Sequence, residues 1–247
     1  ISRLDIKNNF LVKGIQMEGW KKVGFPNEFA FQYYEQGIDE LFIMDIVTSL
    51  YKKNVNIDFL NFLNKEVYIP ITFGGGISSL DDACQILSNG ADRVCVNTAA
   101  VKNPNLISQI ASEFGTQAIC VAVDVCIDQE GEYIIATEFG RNLHEKKMND
   151  WIKEVVDKGA GEIIVTSIQR DGTLRGFDKE LLKKLYKDIS VPLVVGGGFG
   201  NKHQLSDLFE IEKIDGVLVA AAFHQKQELI KNCKEYIINN GYETRKI

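Results

Sequence analysis

The feature that most constrains this chain is an internal duplication. "QGIDELFIMD" (Gln36 to Asp45) matches "KGAGEIIVTS" (Lys158 to Ser167) at an offset of 122, and "IPITFGGG" (from Ile69) matches "VPLVVGGG" (from Val191) at the same offset. "ADRVCVNTAA" (from Ala91) matches "IDGVLVAAAF" (from Ile214) at 123, and "RLDIK" (from Arg3) matches "AVDVC" (from Ala122) at 119. Matches in the same order at nearly one offset make the chain a doubled half. Short Val/Ile-rich runs without strict alternation read as strands buried on both faces, near 1–6, 40–45, 68–73, 92–97, 118–125, 161–167, 191–196 and 214–220. Amphipathic segments lie between them, such as "LDDACQILSNG" with its glycine stop and "DKELLKKLYKDI" with its acidic start, and a hairpin, "IDQEGEYIIATEFG", follows the fifth strand. Alternating strands and helices in two similar halves predict a (β/α)₈ TIM barrel. It is expected to be one domain over 1–247, with half-barrels of about 1–117 and 118–247. A doubly wound sheet is the competing architecture, but twofold repetition favours closure.

The 247 residues suffice for one such barrel. A net charge of −6 argues against nucleic acid or an anionic membrane as partner, and no apolar run is long enough to span a bilayer. The chain opens at Ile1, already in strand-like sequence, so a few native residues are expected to precede it. Cys84, Cys95, Cys120, Cys126 and Cys233 include no C-x-x-C pair and lie mostly in apolar runs, the pattern of reduced thiols in a cytoplasmic protein. His144, His203 and His224 have no ligand spacing to a cysteine, so no metal and no cofactor is expected.

Chemistry in such barrels sits at the C-terminal strand ends. The third strand ends in Gly74-Gly75-Gly76 and the fourth in Asn97-Thr98; their equivalents are Gly196-Gly197-Gly198 and Ala220-Ala221. Glycines that bare backbone N–H groups beside a small residue suit a phosphate. Two such places predict two cradles across one mouth and a ligand with a phosphate at each end. Between them, Asp5 ends the first strand and Asp124 the fifth, on opposite sides of the barrel, as an acid and a base acting on one ligand would be. Asp45 and Asp171 also lie near strand ends, though Asp171-Gly172 reads first as a turn. At the strand starts, Glu40, Arg93 and Glu162 occupy one layer with Gly216 as a gap, which is either a hydrated gate or a salt-bridged plug.

Together "RLDIKNNFLVKG", "GIDELFIMDI", "FGGGI", "GADRVCVNTAAVKNPNLI", "TSIQRDGTLRGFD" and "GGGFG" resemble the cyclase (HisF-type) subunit of imidazole glycerol phosphate synthase over nearly the whole chain. The resemblance implies a lyase of histidine biosynthesis that takes ammonia from a partner glutaminase, in a heterodimer, through the barrel. The ammonia would react with a ribulosyl aminoimidazole carboxamide bisphosphate (PRFAR), giving imidazole glycerol phosphate and a carboxamide ribotide (AICAR). It places the catalytic pair on Asp5 and Asp124 and the flexible-loop lysine on Lys13. The phosphate contacts fall on Gly76, Asn97 and Thr98, then on Asp171, Gly172, Gly197, Gly198, Ala220 and Ala221. The ammonia gate falls on Glu40, Arg93 and Glu162, a further gate arginine preceding Ile1. Asp92 and Gln117, at the same rim, are the expected glutaminase contacts.

Four departures lie in loops or contacts around the mouth, the last in the loop after the hairpin. "KNNFLVKG" replaces K-D-G-R-V-V-K-G, Phe25 stands where an acid is usual, Ala221 replaces a serine of the second cradle, and "TEFGRNLHEKKMNDW" lacks the usual Thr-Gly. The lost hydroxyl predicts that the second cradle is the weaker. The pattern resembles paralogues that deliver glutaminase-derived ammonia for amidination of a surface nucleotide sugar, the alternative function. A sister barrel isomerase, with two aspartates and a bisphosphate ligand, is disfavoured by the charged layer and the "LVKG" segment.

Overall fold

In the computed structural model, which describes residues 1–46, 57–185, 189–209, 211 and 214–245, each of the eight apolar runs contains a strand. The strands, in chain order, are β1 (Ser2–Lys7), β2 (Phe10–Ile15), β3 (Glu18–Gly24), β4 (Leu41–Asp45), β5 (Ile71–Gly74), β6 (Arg93–Val96), β7 (Ile119–Ile127), β8 (Tyr133–Thr137), β9 (Asn142–Lys147), β10 (Glu162–Ser167), β11 (Leu193–Gly196) and β12 (Gly216–Leu218). β1, β4, β5, β6, β7, β10, β11 and β12 pair in parallel in that order. A parallel bridge from Ser2 to Val219 then joins the last strand to the first: Arg3 N–H donates to the Val219 carbonyl at 2.8 Å, and Val219 N–H to that of Ile1 at 2.9 Å. The sheet is therefore a closed (β/α)₈ barrel.

Local chemistry sets the connecting helices. Ser79 accepts from Asp82 N–H while the Asp82 carboxylate accepts from the Ser79 N–H, a reciprocal cap that starts the helix Leu80–Ser88. Asp178 accepts from Leu181 N–H and starts Lys179–Lys184; residues 186–188 of the helix expected there lie outside the described residues. Apolar side chains fall in two sets. One fills the space between sheet and helices and includes fully buried Trp151; the other, with Phe42, Met44, Cys95, Cys120, Ala122, Ile164, Val194 and Leu218, fills the barrel interior from alternate strand positions.

Two additions were not expected. The stretch after β1, read from sequence as a loop, is the antiparallel hairpin β2–β3. Its turns place Asn8-Asn9 and Gln16-Met17 at positive φ, between 49° and 67°, the twist that a two-residue connection between antiparallel strands demands. The segment 142–147, also read as loop, is β9, a third strand on the β7–β8 hairpin.

The duplication reaches individual hydrogen bonds. The Asp92 carboxylate accepts from Ile71 N–H at 2.8 Å, and its repeat equivalent Asp215 accepts from Leu193 N–H at 2.8 Å. Each ties the start of one strand to the loop leading into the next. We expect Asp92→Ala and Asp215→Ala each to cost about 1 kcal/mol, and the double variant to cost their sum, since the pairs lie on opposite sides of the barrel. Urea unfolding monitored by circular dichroism tests this; markedly unequal losses would break the equivalence.

Candidate active site

Alternation along β1 turns Arg3 and Asp5 to the same, inward face. Asp5 is fully buried, and its Oδ1 accepts from Arg3 Nε at 2.8 Å. Its Oδ2 makes no hydrogen bond among the described residues, and the Lys13 Nζ lies 3.8 Å from it. Arg3 was not singled out from sequence, although the two-residue period that places Asp5 inside places Arg3 there too. Burial pulls its guanidinium down, but Asp5, Asp171 and Asp124 outweigh burial and raise it.

Asp124 lies across the barrel on β7, and its Oδ2 accepts from Asn97 Nδ2 at 2.8 Å. Burial pushes its carboxyl up to about 6, against the pull of Arg3 and the Asn97 hydrogen bond and helped by Asp171 and Asp5. His224 is buried against the Tyr33 hydroxyl at 2.6 Å, and burial lowers it to about 3, so it is a neutral imidazole near neutral pH. Asp124 is thus suited to carry a proton that His224 does not.

Lys13 corrects an expectation. The resemblance places it on a flexible loop, but it sits on β2, buried, with Nζ donating to both Asp171 oxygens at 2.9 and 2.7 Å. Asp171 N–H closes a turn onto Ser167, as its sequence suggests, yet its side chain is half of a buried ion pair. Gln16 N–H also donates to the Asp171 carbonyl, so the hairpin is pinned across the mouth to the segment after β10. Asp45, at the end of β4, is buried.

The structure gathers the second cradle. A small recess, open to solvent, is lined by Gly172, Gly197, Gly198, Ala220 and Ala221 together with Asp171, Thr166 and Arg3. Gly198 has φ +100° and a side chain there would strike the Gly176 carbonyl; Gly75, at φ +102°, is likewise held against the Asp45 carbonyl. At these two buried positions the close approach of a neighbouring carbonyl and the positive φ require glycine. At the first cradle Gly76 has φ +74°, Asn97 turns its amide to Asp124, and Thr98 Oγ1 accepts from Glu138 N–H. Phe25, in place of the usual acid, is half exposed and packs on Phe10, with the Lys22 ammonium 3.5 Å over the Phe10 ring.

At the strand starts Arg93 donates from Nη2 to Glu40 at 2.8 Å and from Nη1 to Glu162 at 2.6 Å. Burial raises the Glu162 carboxyl against the pull of Arg93. Gly216 is not the gap expected there: an added Cβ would lie 3.1 Å from Val194 Cγ2 and 3.5 Å from Ile1 Cδ1. Asp92 and Gln117 are exposed at this rim. All five cysteines are free, Cys84 exposed and the others buried, and among the described residues no cluster of His, Cys, Asp and Glu could hold a metal. Nor is any helix among the described residues long and apolar enough to cross a membrane.

Comparison with known proteins agrees with this geometry. Residues 1–228 match the family described as "Histidine biosynthesis protein". The chain is 37% identical over 243 residues to the imidazole glycerol phosphate synthase subunit HisF of Staphylococcus saprophyticus, covering 98% of this chain and 96% of that one. It is 40% identical over 243 residues to the HisF subunit of Bacillus pumilus, with the same coverage. A HisF subunit of Legionella pneumophila is 45% identical over 206 residues, covering 83% of this chain and 97% of that one.

Asp124 makes stability depend on pH. Its folded value of about 6 exceeds the ordinary 3.8, so the folded state binds the proton more tightly. That contribution is complete below about pH 4 and is lost as pH rises through about 6. We expect Asp124→Asn to match the parent protein at low pH and to exceed it at pH 8 by up to about 3 kcal/mol, less whatever mouth water screens. Denaturant unfolding at pH 4 and pH 8 reads the difference; a stability gap independent of pH would contradict the assignment.

Proposed function

This chain belongs to the histidine biosynthesis protein family, and from that premise we propose that it is the cyclase subunit of imidazole glycerol phosphate synthase, a lyase that uses ammonia to convert PRFAR into imidazole glycerol phosphate and AICAR. The observation that carries the reading is the opposed pair at the mouth: Asp5 with one oxygen clamped by Arg3 and the other open, facing Asp124, which burial brings to about 6. In this reading the half-barrels, about 1–117 and 118–247, form one catalytic unit.

Adding ammonia to a carbonyl forms a C–N bond and releases the oxygen as water once it has gained protons; closing an imidazole ring and freeing the ribotide move further protons on nitrogen. One group must give and another take. Asp124 is protonated for part of the time near neutral pH and gives. Asp5 takes, through Oδ2, the open acceptor. Gly76, Asn97 and Thr98 hold one phosphate of the ligand; Gly172, Gly197, Gly198, Ala220 and Ala221 hold the other. Lys13 and Asp171 pin the β2–β3 hairpin over the ligand between them.

Ammonia comes from a glutaminase of the HisH type, docked over the strand starts at Asp92 and Gln117. It enters past Glu40, Arg93 and Glu162. The Arg93 fork spans both carboxylates, so passage requires one of its arms to release. Neutral ammonia delivered inside the barrel escapes the protonation it would meet in bulk water.

Complementation of a histidine auxotroph tests the substrate: growth supports the cyclase, whereas failure by a folded protein that still draws ammonia from a glutaminase would assign it to a different acceptor, such as a nucleotide sugar. We expect Asp5→Asn and Asp124→Asn each to lower ammonia-dependent cyclisation by about 10²–10⁴-fold while ligand affinity stays within about tenfold. Near-parental turnover by both variants would remove the pair from the chemistry. Arg93→Met is expected to lower glutamine-supported turnover more than turnover with added ammonium salt, measured at matched folded fraction. Equal losses would make the layer a structural plug.

A further inference from the structure

The recess behind Gly197 and Gly198 has a charge problem. An oxyanion there would face the Asp171 carboxylate, and the cradle's own small residues, Ala220 and Ala221, offer no side-chain donor. Lys13 neutralises Asp171 by bonding both its oxygens and has no charge to spare. Among the described residues that line the recess, the one cation is Arg3. Its Nε is committed to Asp5, but its two Nη groups make no hydrogen bond among the described residues. Beside it, Thr166 lines the same recess, 2% exposed, and its Oγ1 has no hydrogen-bond partner among the described residues. A buried guanidinium with free donors and a buried orphan hydroxyl, both on one recess, are groups waiting for an acceptor.

The repeat sharpens the point. The equivalent of Arg3 in the second half is Ala122, an apolar residue of the barrel interior. The first cradle has a hydroxyl donor of its own in Thr98, beside Asn97, whose amide is given to Asp124 and the Ala136 carbonyl. The halves have therefore diverged in opposite ways: one cradle has neutral polar side chains, and the donor-poor one has a fixed cation at its floor.

We propose that Arg3 and Thr166 form the floor of the second cradle and bind the oxygens of a phosphomonoester there, Arg3 through its Nη groups while its Nε holds Asp5. Arg3 then links phosphate binding to the acceptor aspartate, and the second cradle is the tighter of the two despite Ala221. This rests on the two-cradle reading above, but it needs neither PRFAR nor cyclase activity.

The test uses inorganic phosphate as the ligand and the amide resonances of Gly197 and Gly198, against those of Gly76 and Thr98, as separate reports on the two cradles. In the parent protein the Gly197 and Gly198 amides should saturate at the lower phosphate concentration. Arg3→Met should weaken that site by about tenfold or more, Arg3→Lys by less, because it keeps the charge and loses the fork, and Thr166→Val by about threefold. Phosphate affinity at Gly76 and Thr98 should stay within about twofold throughout. If Arg3→Met fails to fold because Asp5 is left buried and unpaired, Arg3→Met with Asp5→Asn removes both charges together and is titrated instead. Second-cradle affinity unchanged within about twofold in these variants would overturn the proposal and leave the two-cradle reading standing. A parent protein that binds phosphate at neither cradle would overturn both. Binding as expected in a protein without cyclase activity would support this proposal and refute the function above.

Discussion

Two backbone hydrogen bonds, Arg3 N–H to the Val219 carbonyl and Val219 N–H to the Ile1 carbonyl, turn an eight-stranded sheet into a barrel. With that seam open, β12 and the first residues of β1 would present unpaired edges, and the residues β1 points inward would face water. With it closed, Arg3 and Asp5 are taken out of solvent together, and neither is tolerable there without the other. The raised carboxyl of Asp124, the pairing of Lys13 with Asp171 and the open oxygen of Asp5 all follow from charges held in a volume that water has largely left. The same enclosure that makes these groups costly to bury makes their electrostatic action strong.

Much of the barrel was legible because its signals are local and repeated. Buried parallel strands are continuous apolar runs, Ser79 and Asp82 are a helix start written in four residues, and a doubled sequence leaves few topologies. The β2–β3 hairpin was harder to see, because its buried Lys13 interrupts the apolar run and Gln16-Met17 is not a sequence that advertises a tight turn. Asn8-Asn9 was the available signal, since asparagine tolerates positive φ better than most residues. β9 was missed because "NLHEKK" is polar and largely exposed; it is a strand through pairing with β8, not through its own pattern.

The site was legible to the extent that it sits at repeat-equivalent positions. Asp5 and Asp124 could be paired from the offset alone, and so could the glycine cradles. What the sequence hid was partnership: that Lys13 reaches residue 171, that Asn97 turns to Asp124, and that the Gly216 space is occupied by Val194 and Ile1. Those contacts join residues far apart in the chain, and no periodicity encodes them. Arg3 was hidden differently. Its own repeat partner is alanine, so a search for what the halves share passes over it.

That difference has a consequence for the ligand. A mouth with true twofold symmetry would accept a molecule bearing a phosphate at each end in either of two directions, and half of the bound molecules would present the wrong atom to each acid. With the cation proposed for the second cradle, Arg3 on one side and Ala122 on the other act against this degeneracy. In the proposed reading, Arg3 opposite Ala122 and Asn97-Thr98 opposite Ala220-Ala221 give the duplicated barrel a head and a tail, and with them the ability to tell one end of a bisphosphate ligand from the other.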